Sequence, residues 1–349
     1  MITFAPKSSH ISFRQSSMTS DEGYFGSLSI PLFGVLTCAG VYFLRRYLKG
    51  AQFNEYVKAE GKIALVTGAS AGIGKQTARE LNLRGATVYM LCRDRVKSEN
   101  AKIELAKLGC NPTRLILKDV DLASFATIRK FADEIRYEVD KIDILVNNAG
   151  IMFYPKFELT EDGHEITWQT NYLGHFLLTE LLLPLIKKSS NGRIINVSSS
   201  LHKTADSVDV SIVNNKKYFN KSMPYSRSKL AQVMHVRELT RRLRTKDPRT
   251  TVTINAVHPG VCFTELMRYT VFSRKYILKI ISPLLWFFMK TDKDGAQTTL
   301  YVALSKNVEV VSGRYFGECK EHTPSSNSLD DTACNILYNQ SLEAVKLSE

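Results

Sequence analysis

Eight residues, Thr67-Gly68-Ala69-Ser70-Ala71-Gly72-Ile73-Gly74, constrain the fold of this chain more than any other stretch. They leave a short β-branched run, Lys62–Thr67, and open a segment of helical spacing, Ile73–Arg84. In such a strand–turn–helix unit Gly68 permits a tight turn, Gly72 lets the backbone approach a pyrophosphate, and Gly74 lets helix and strand pack closely. The helix N-terminus then offers free N–H groups and a positive dipole end to an anion. The same residues also read as G-x-S-x-G, the nucleophile elbow of hydrolases. Three points oppose that reading. The turn follows the first strand of the alternating region, Gly74 has no role in an elbow, and most chemistry-bearing residues lie elsewhere.

Strand-like and helical runs alternate from Gly61 onward. The strands are expected at Lys62–Thr67, Ala86–Cys92, Arg114–Leu117, Ile142–Asn147, Arg193–Ser198 and Thr251–Ala256. Helices are expected at Ile73–Arg84, Val96–Leu108, Ser124–Tyr137, Gly163–Lys187 and Ser226–Leu243. This rhythm argues an α/β fold, a single Rossmann-type doubly wound parallel sheet spanning 61–341. The six cysteines are scattered without a CxxC pair, so neither a metal site nor a disulfide framework is signalled.

The N-terminal region is different. Gly23–Leu44 is 22 residues without a charge, although Ser27, Ser29, Pro31, Thr37 and four glycines dilute it. Asp21 and Glu22 precede it and Arg45, Arg46 and Lys49 follow, the reverse of a signal peptide. The expectation is a transmembrane anchor helix over 23–44 with the body on the cytosolic side, a peripheral or re-entrant segment being the alternative. Residues 1–22 read as a disordered tail, 45–60 as a basic linker and 342–349 as a C-terminal tail. The net charge of +13 suits a basic surface, an anionic membrane face or a phosphorylated ligand. No zinc-finger spacing and no long basic run interleaved with aromatics points to nucleic acid. Two sequons, Asn220-Lys221-Ser222 and Asn339-Gln340-Ser341, offer a test of topology, because a glycan on either would place the body in a lumen.

Nicotinamide chemistry is legible in what surrounds the glycine turn. An NAD site needs an acid at the end of the second strand to accept from the ribose 2′-hydroxyl. Here Leu91 leads into Cys92 and Arg93, and an arginine pairs with a 2′-phosphate, so NADP(H) is preferred. Asp94 is expected to cap the next helix. Asp121-Leu122 follows a strand end, where the carboxylate can accept from an adenine amino group or cap the helix from Ser124. Asn147-Asn148-Ala149-Gly150 ends the fourth strand and borders the same ligand.

Carbonyl reduction also needs a proton donor. Tyr225 and Lys229 stand at i,i+4 spacing on one helix face. An ammonium there is expected to pull the phenol down from its ordinary value. Ser199, at the end of the fifth strand, can orient a carbonyl, and Asn171 can hold a water that passes protons onward. His175 and His202 read as structural.

Together these residues resemble the short-chain dehydrogenase/reductase superfamily, from Gly61 to about Ser341. Thr67–Gly74 looks like its TGxxxGxG, and Asn147–Gly150 its NNAG. Asn171, Ser199, Tyr225 and Lys229 fall on its catalytic tetrad. The resemblance implies cofactor contacts for Gly68, Ser70, Gly72, Ile73, Gly74, Arg93, Asp121, Leu122, Asn148, Ala149, Gly150, Tyr225 and Lys229. Pro259, Gly260 and Thr264 resemble the loop that contacts the nicotinamide amide and phosphates. Within the superfamily the chain is similar to the retinol dehydrogenase branch. The runs that carry this are Cys92-Arg93-Asp94, Thr160–His164, Asn171–Thr179, His258–Leu266, Gly295–Thr298 and Ser312–Phe316. That branch implies NADP(H), a retinaldehyde-like lipophilic substrate and an endoplasmic-reticulum membrane address, a mitochondrial membrane being the alternative. Steroid or other lipid carbonyls are alternative substrates, and a membrane-tethered scaffold without turnover is the non-enzymatic rival. A homodimer stays open. Ala71, Pro224 and the run Lys216-Lys217-Tyr218 depart from the branch and leave the loop Leu201–Pro224 unassigned. The aromatic-rich Met267–Met289 reads either as a buried core helix or as an apolar lid over a greasy substrate.

Overall fold

The computed structural model describes residues 1, 22–206, 208–262 and 287–348. They fall into two units, Met1–Tyr47 and Leu48–Glu349. Helix α1, Glu22–Lys49, covers the segment expected to anchor the chain. Its conformation is as expected but its apolarity is not: among the described residues, no helix is long and apolar enough to cross a membrane. The glycines and hydroxylated residues within Gly23–Leu44 account for this, since they dilute the transfer free energy that a spanning helix needs.

The larger unit is an α/β body. Its strands are β1 Ile63–Thr67, β2 Thr87–Cys92, β3 Leu115–Asp119, β4 Ile144–Asn147, β5 Arg193–Val197, β6 Thr253–His258, β7 Tyr315–Gly317 and β8 Lys320–His322. They form one sheet in the order β3-β2-β1-β4-β5-β6-β7-β8, parallel except for the β7–β8 hairpin. Every residue of β4 and β5 is buried, as a parallel sheet covered on both faces requires. Helices α2 Gly72–Leu83 and α3 Arg95–Lys107 cover one face, together with a later helix, Asp292–Leu304. Helices α4 Phe125–Glu138, α5 Gly174–Ile186 and α6 Met223–Lys246 cover the other. The C-terminal helix, Asp331–Ala344, packs on α6 with Leu337 and Tyr338 buried.

The order reverses between β1 and β4, and ligands of such sheets bind outside the strand ends at that switch point. The expected strands and helices are present, and the helices Asp292–Leu304 and Asp331–Ala344 lie beyond the last expected one. Two further differences concern the sheet edge and one helix. The hairpin β7–β8 lies beyond the last expected strand, because three-residue strands carry too little periodicity to be read. The run expected as one helix over Gly163–Lys187 is interrupted: Gln169–Leu173 forms a π turn before α5 begins. Single π turns inside helices often occur at functional sites.

The body is also longer than 61–341. Phe53, expected in a linker, is buried in the core, and its backbone N–H donates to Gln297 at 3.0 Å. Leu342 and Val345, expected at the start of a tail, are buried as well. Of the segment Met267–Met289, residues 267–286 lie outside the described residues, as does Thr264.

Candidate active site

The glycine turn is held by geometry that only glycine tolerates. Gly68 sits at φ +66°, and a Cβ on Gly74 would lie 2.4 Å from both the Gly68 carbonyl oxygen and Asn148 Nδ2. The Asn148 amide donates to the Thr67 carbonyl at 2.9 Å. Thr67 Oγ1 accepts from the backbone N–H of Asn148 and of Ala149, at 2.8 and 2.9 Å. So the β1 and β4 ends are tied into one rim. Asn147 ties β4 to β5, its Nδ2 donating to Asn196 Oδ1 at 2.8 Å.

Above this rim lies a cleft of about 300 Å³. Its walls include Gly68, Ser70, Gly72, Ile73, Arg93, Asp121, Leu122, Asn148, Ala149, Gly150, Tyr225, Lys229 and Pro259. Apart from Ser199 and Asn171, the expected acid–base residues and most of the expected cofactor residues thus converge on one place, from five strand ends and the starts of two helices. Gly74 supports the turn from behind. Gly260, at φ +87°, packs against the stem of Lys290. Lys97, Thr170 and Ser198 also line the cleft and were not singled out in the sequence. Lys97 stands one helical turn past Arg93, and that spacing was a readable signal. Asp94 caps α3 as expected, accepting from the Lys97 N–H at 3.0 Å. Asp121 accepts from the Ala123 N–H at 3.0 Å within its own turn, and Asp162, not Asp121, accepts the Phe125 N–H at the start of α4.

Tyr225 and Lys229 lie on the buried first turns of α6. Pro224 is accounted for by its position: it occupies the first turn of the helix, where a missing N–H costs nothing. The loop before α6 is fastened by Arg227, which is buried and pairs through two bonds of 2.7 Å with Asp206. The Tyr225 phenol faces the Ser199 hydroxyl, which favours its charged form, and lies near Cys262. Ser199 also caps its own turn, accepting from the Leu201 N–H at 3.2 Å. Ser198 instead turns inward and donates to the Lys229 carbonyl at 2.8 Å.

Burial dominates the electrostatics. It pushes the phenol of Tyr225 up to about 12, against the Ser199 hydroxyl, which lowers it. It pushes the Lys229 amine down to about 7. The expectation that an ammonium would draw the phenol down is therefore reversed in this chain as it stands. The amine is itself desolvated, and Nζ is drawn toward the Val197 carbonyl at 2.7 Å and Gln232 Oε1 at 3.1 Å.

Asn171, in the π turn, is fully buried and does not reach the cleft. Its side chain clamps Ile151, with Oδ1 accepting at 2.8 Å and Nδ2 donating at 2.9 Å, and Nδ2 also donates to Ser228 Oγ at 3.1 Å. Its carbonyl accepts from His175 Nδ1 at 2.9 Å and Gln232 Nε2 at 2.8 Å. With two side-chain donors, that carbonyl has no lone pair left to offer a water. His175 and His202 are structural, as expected. Burial takes His175 down to about 3, and His202 Nε2 accepts the Ser325 N–H at 2.9 Å. Ser70, the serine of the elbow-like motif, lines the cleft wall beside the glycines.

Comparison with known proteins agrees with this geometry. The family described as short chain dehydrogenase matches residues 62–273. Retinol dehydrogenase 14 of Homo sapiens is 42% identical over 294 residues, covering 80% of this chain and 84% of that protein. Retinol dehydrogenase 13 of Mus musculus is 40% identical over 312 residues, covering 88% and 91%. Among solved structures, an uncharacterized protein from Mycobacterium Paratuberculosis superposes with a TM-score of 0.68 at 29% identity, covering 86% of this chain and 98% of that one. A short chain dehydrogenase from Burkholderia cenocepacia in complex with NADP gives 0.56 at 25% identity, covering 74% and 97%. On the glycine rim, the cleft and these likenesses, the chain belongs to the short-chain dehydrogenase/reductase superfamily, in its retinol dehydrogenase-like branch, and is an oxidoreductase.

Proposed function

We propose that this chain interconverts a lipophilic alcohol and its aldehyde or ketone with NADP(H), on a retinoid-like substrate, with Tyr225 as acid and base. The observation that carries the reading is the buried Tyr225 phenol, lining a cleft walled by the glycine turn and Arg93, with Ser199 beside it. The cleft fits a dinucleotide. The glycine turn on its wall has no room behind it for a Cβ on Gly74, and an open helix start meets the cleft. Gly68, Ser70, Gly72 and Ile73 would hold the pyrophosphate, Asp121 and Leu122 the adenine side, and Asn148, Ala149, Gly150, Lys229 and Pro259 the nicotinamide half. Gly260 and Thr264 belong to the same loop by resemblance. Arg93, exposed at the cleft edge, supplies the planar fork that a 2′-phosphate favours. The Burkholderia relative was solved with NADP, which supports the choice.

When bound, the nicotinamide supplies or accepts the hydride. The rest is done by the protein. Ser199 orients the carbonyl oxygen toward Tyr225. The phenol, neutral at physiological pH because burial holds its proton, gives that proton to the oxygen as the carbonyl carbon receives the hydride. Asn171 acts at one remove, fixing Ile151 on the cleft wall. A phenol that keeps its proton is in the protonation state that carbonyl reduction requires. The names of the relatives, retinol dehydrogenases 13 and 14, support a retinoid-like substrate.

The N-terminal helix gives the enzyme a membrane address in this reading. Phe33, Val35, Leu36, Val41, Phe43 and Leu44 are exposed on α1 and precede the exposed Arg46 and Lys49. A helix with exposed apolar side chains followed by cations suits attachment at an anionic interface, the endoplasmic reticulum membrane first among the candidates. The test of the whole proposal is turnover of retinaldehyde, a steroid ketone and a medium-chain aldehyde, each with NADPH and with NADH. Retinaldehyde with NADPH should be turned over fastest. A chain inert on all six combinations would be a scaffold.

A further inference from the structure

The amide of Gln232 stands between two groups of the proposed acid–base site. On α6 it follows Lys229 by three residues, and it is 1% exposed. Its Oε1 accepts from Lys229 Nζ at 3.1 Å, and its Nε2 donates to the Asn171 carbonyl at 2.8 Å. The Asn171 carbonyl takes its second donor from His175 Nδ1 at 2.9 Å, and His175 Nε2 meets Thr67 Oγ1 at 2.8 Å. Nδ1 donates to a carbonyl, so Nε2 accepts and Thr67 is the donor. An unbroken line of bonds therefore runs from the rim of the glycine turn, through Thr67, His175, the π turn and Gln232, to the Lys229 amine. Both carbonyl lone pairs on that line are filled by protein donors, and none is left for solvent.

From this line of bonds we infer that Gln232 is a positioning residue for the reaction: its amide holds the Lys229 amine against the cleft and fills the carbonyl where a proton-relaying water would otherwise sit. The inference rests on the reading of Tyr225 and Lys229 as the acid–base pair. Two consequences separate this role from simple core packing. The charge of Lys229 responds to what stands at position 232. Proton exchange with solvent runs through the open cleft and not through the π turn. The titratable groups near Lys229 are the Tyr225 phenol on its own helix, with Cys262 beyond it, and His175 from α5, which is neutral. A carboxylate placed at position 232 would therefore act on an amine set mainly by burial.

The experiment compares Gln232→Glu, Gln232→Leu and Gln232→Asn with the parent full-length chain. The Lys229 amine is titrated in the cofactor-free chain by NMR of ε-13C-lysine, with Lys229→Met to assign the signal. Carbonyl reduction with NADPH is measured in parallel against pH. Gln232→Glu should raise the amine titration by about one unit or more, and Gln232→Leu should lower it, since an acceptor of the charged form is lost. For Gln232→Leu the turnover number should fall about tenfold with a smaller change in KM, as expected when an acid–base group loses its alignment. Gln232→Asn is too short to span both contacts and should fall between the parent and Gln232→Leu. Titration curves that coincide in all four chains would overturn the inference, whatever the thermal stabilities. If Gln232→Leu does not fold, the near-isosteric Gln232→Glu decides the matter alone. A parent chain inert on every carbonyl would defeat the functional reading, while the NMR shifts would still report on the Gln232–Lys229 bond.

Discussion

Lys229 Nζ lies 5.5 Å from the centre of the Tyr225 ring, and burial moves both groups toward their neutral forms. The phenol keeps its proton to about 12, and the amine loses its own at about 7. A pair poised this way favours giving a proton over taking one. Alcohol oxidation needs the phenolate, so its rate should climb with pH above neutrality, by about tenfold per unit while the phenolate fraction is limiting. Carbonyl reduction should show no loss traceable to the phenol up to pH 9. Initial rates in both directions across pH 6–10 check this, and an oxidation rate that does not depend on pH would oppose it.

The same burial has a thermodynamic consequence for the cofactor-free chain. An unfolded lysine titrates near 10.5, and Lys229 in the fold titrates near 7. Between those values the unfolded chain binds more protons, so stability rises with pH through that window and is lowest at and below its acid end. The slope from this one group is at most about 1.4 kcal/mol per pH unit. In Lys229→Met that contribution disappears. Urea midpoints of the parent and the variant at pH 7.5 and pH 9.5 should therefore change by different amounts, the parent gaining more.

Removing the phenolic hydroxyl isolates its chemistry. Tyr225→Phe should reduce carbonyl turnover by about 10²–10⁴-fold, the usual contribution of a positioned acid. NADPH binding, followed by fluorescence quenching, should change little, because the ring and Lys229 remain. A variant that loses binding and turnover together would show that the residue is structural.

Cofactor choice should reside at the edge of the cleft. Arg93→Glu should raise the KM for NADPH at least about tenfold and leave that for NADH near its parent value, because a 2′-phosphate would lose a charge-assisted pair and meet a like charge. Equal changes for the two cofactors would place the discrimination elsewhere, with Lys97 the next residue to test.

Gly74→Ala probes the glycine rim directly. The new methyl would meet Asn148 Nδ2 and the Gly68 carbonyl oxygen at 2.4 Å, and the second of these is backbone that has nowhere to go. Stability should fall by about 1–3 kcal/mol in urea denaturation, with NADPH binding weakened as the turn opens.

Much of this was legible in the chain because it is written in local chemistry. Gly68 is read from the turn it must make, Asp94 from its place before a helix, and Tyr225 and Lys229 from their spacing on one helix. Asn171 was legible as a residue but not in its action. Its backbone carbonyl, which carries the contacts to His175 and Gln232, has no signature in sequence. The π turn that presents it inserts one residue in an apolar run whose spacing reads as continuous helix. At the N-terminal segment the helix was legible but not its depth. An uncharged stretch was read as a span, and among the described residues no helix is long and apolar enough to cross a membrane.

The order of residues alone determined the α/β alternation, the place of the glycine turn and the spacing that sets Tyr225 and Lys229 on one helix. These follow from backbone sterics and side-chain periodicity over a few residues. Tertiary packing decided the ionisation of Tyr225 and Lys229, and the amide that joins Lys229 to Asn171. Desolvation depends on what closes over a group from distant parts of the chain, and a hydrogen-bonded line from Thr67 to Lys229 exists only once α5, α6, the π turn and the sheet have come together.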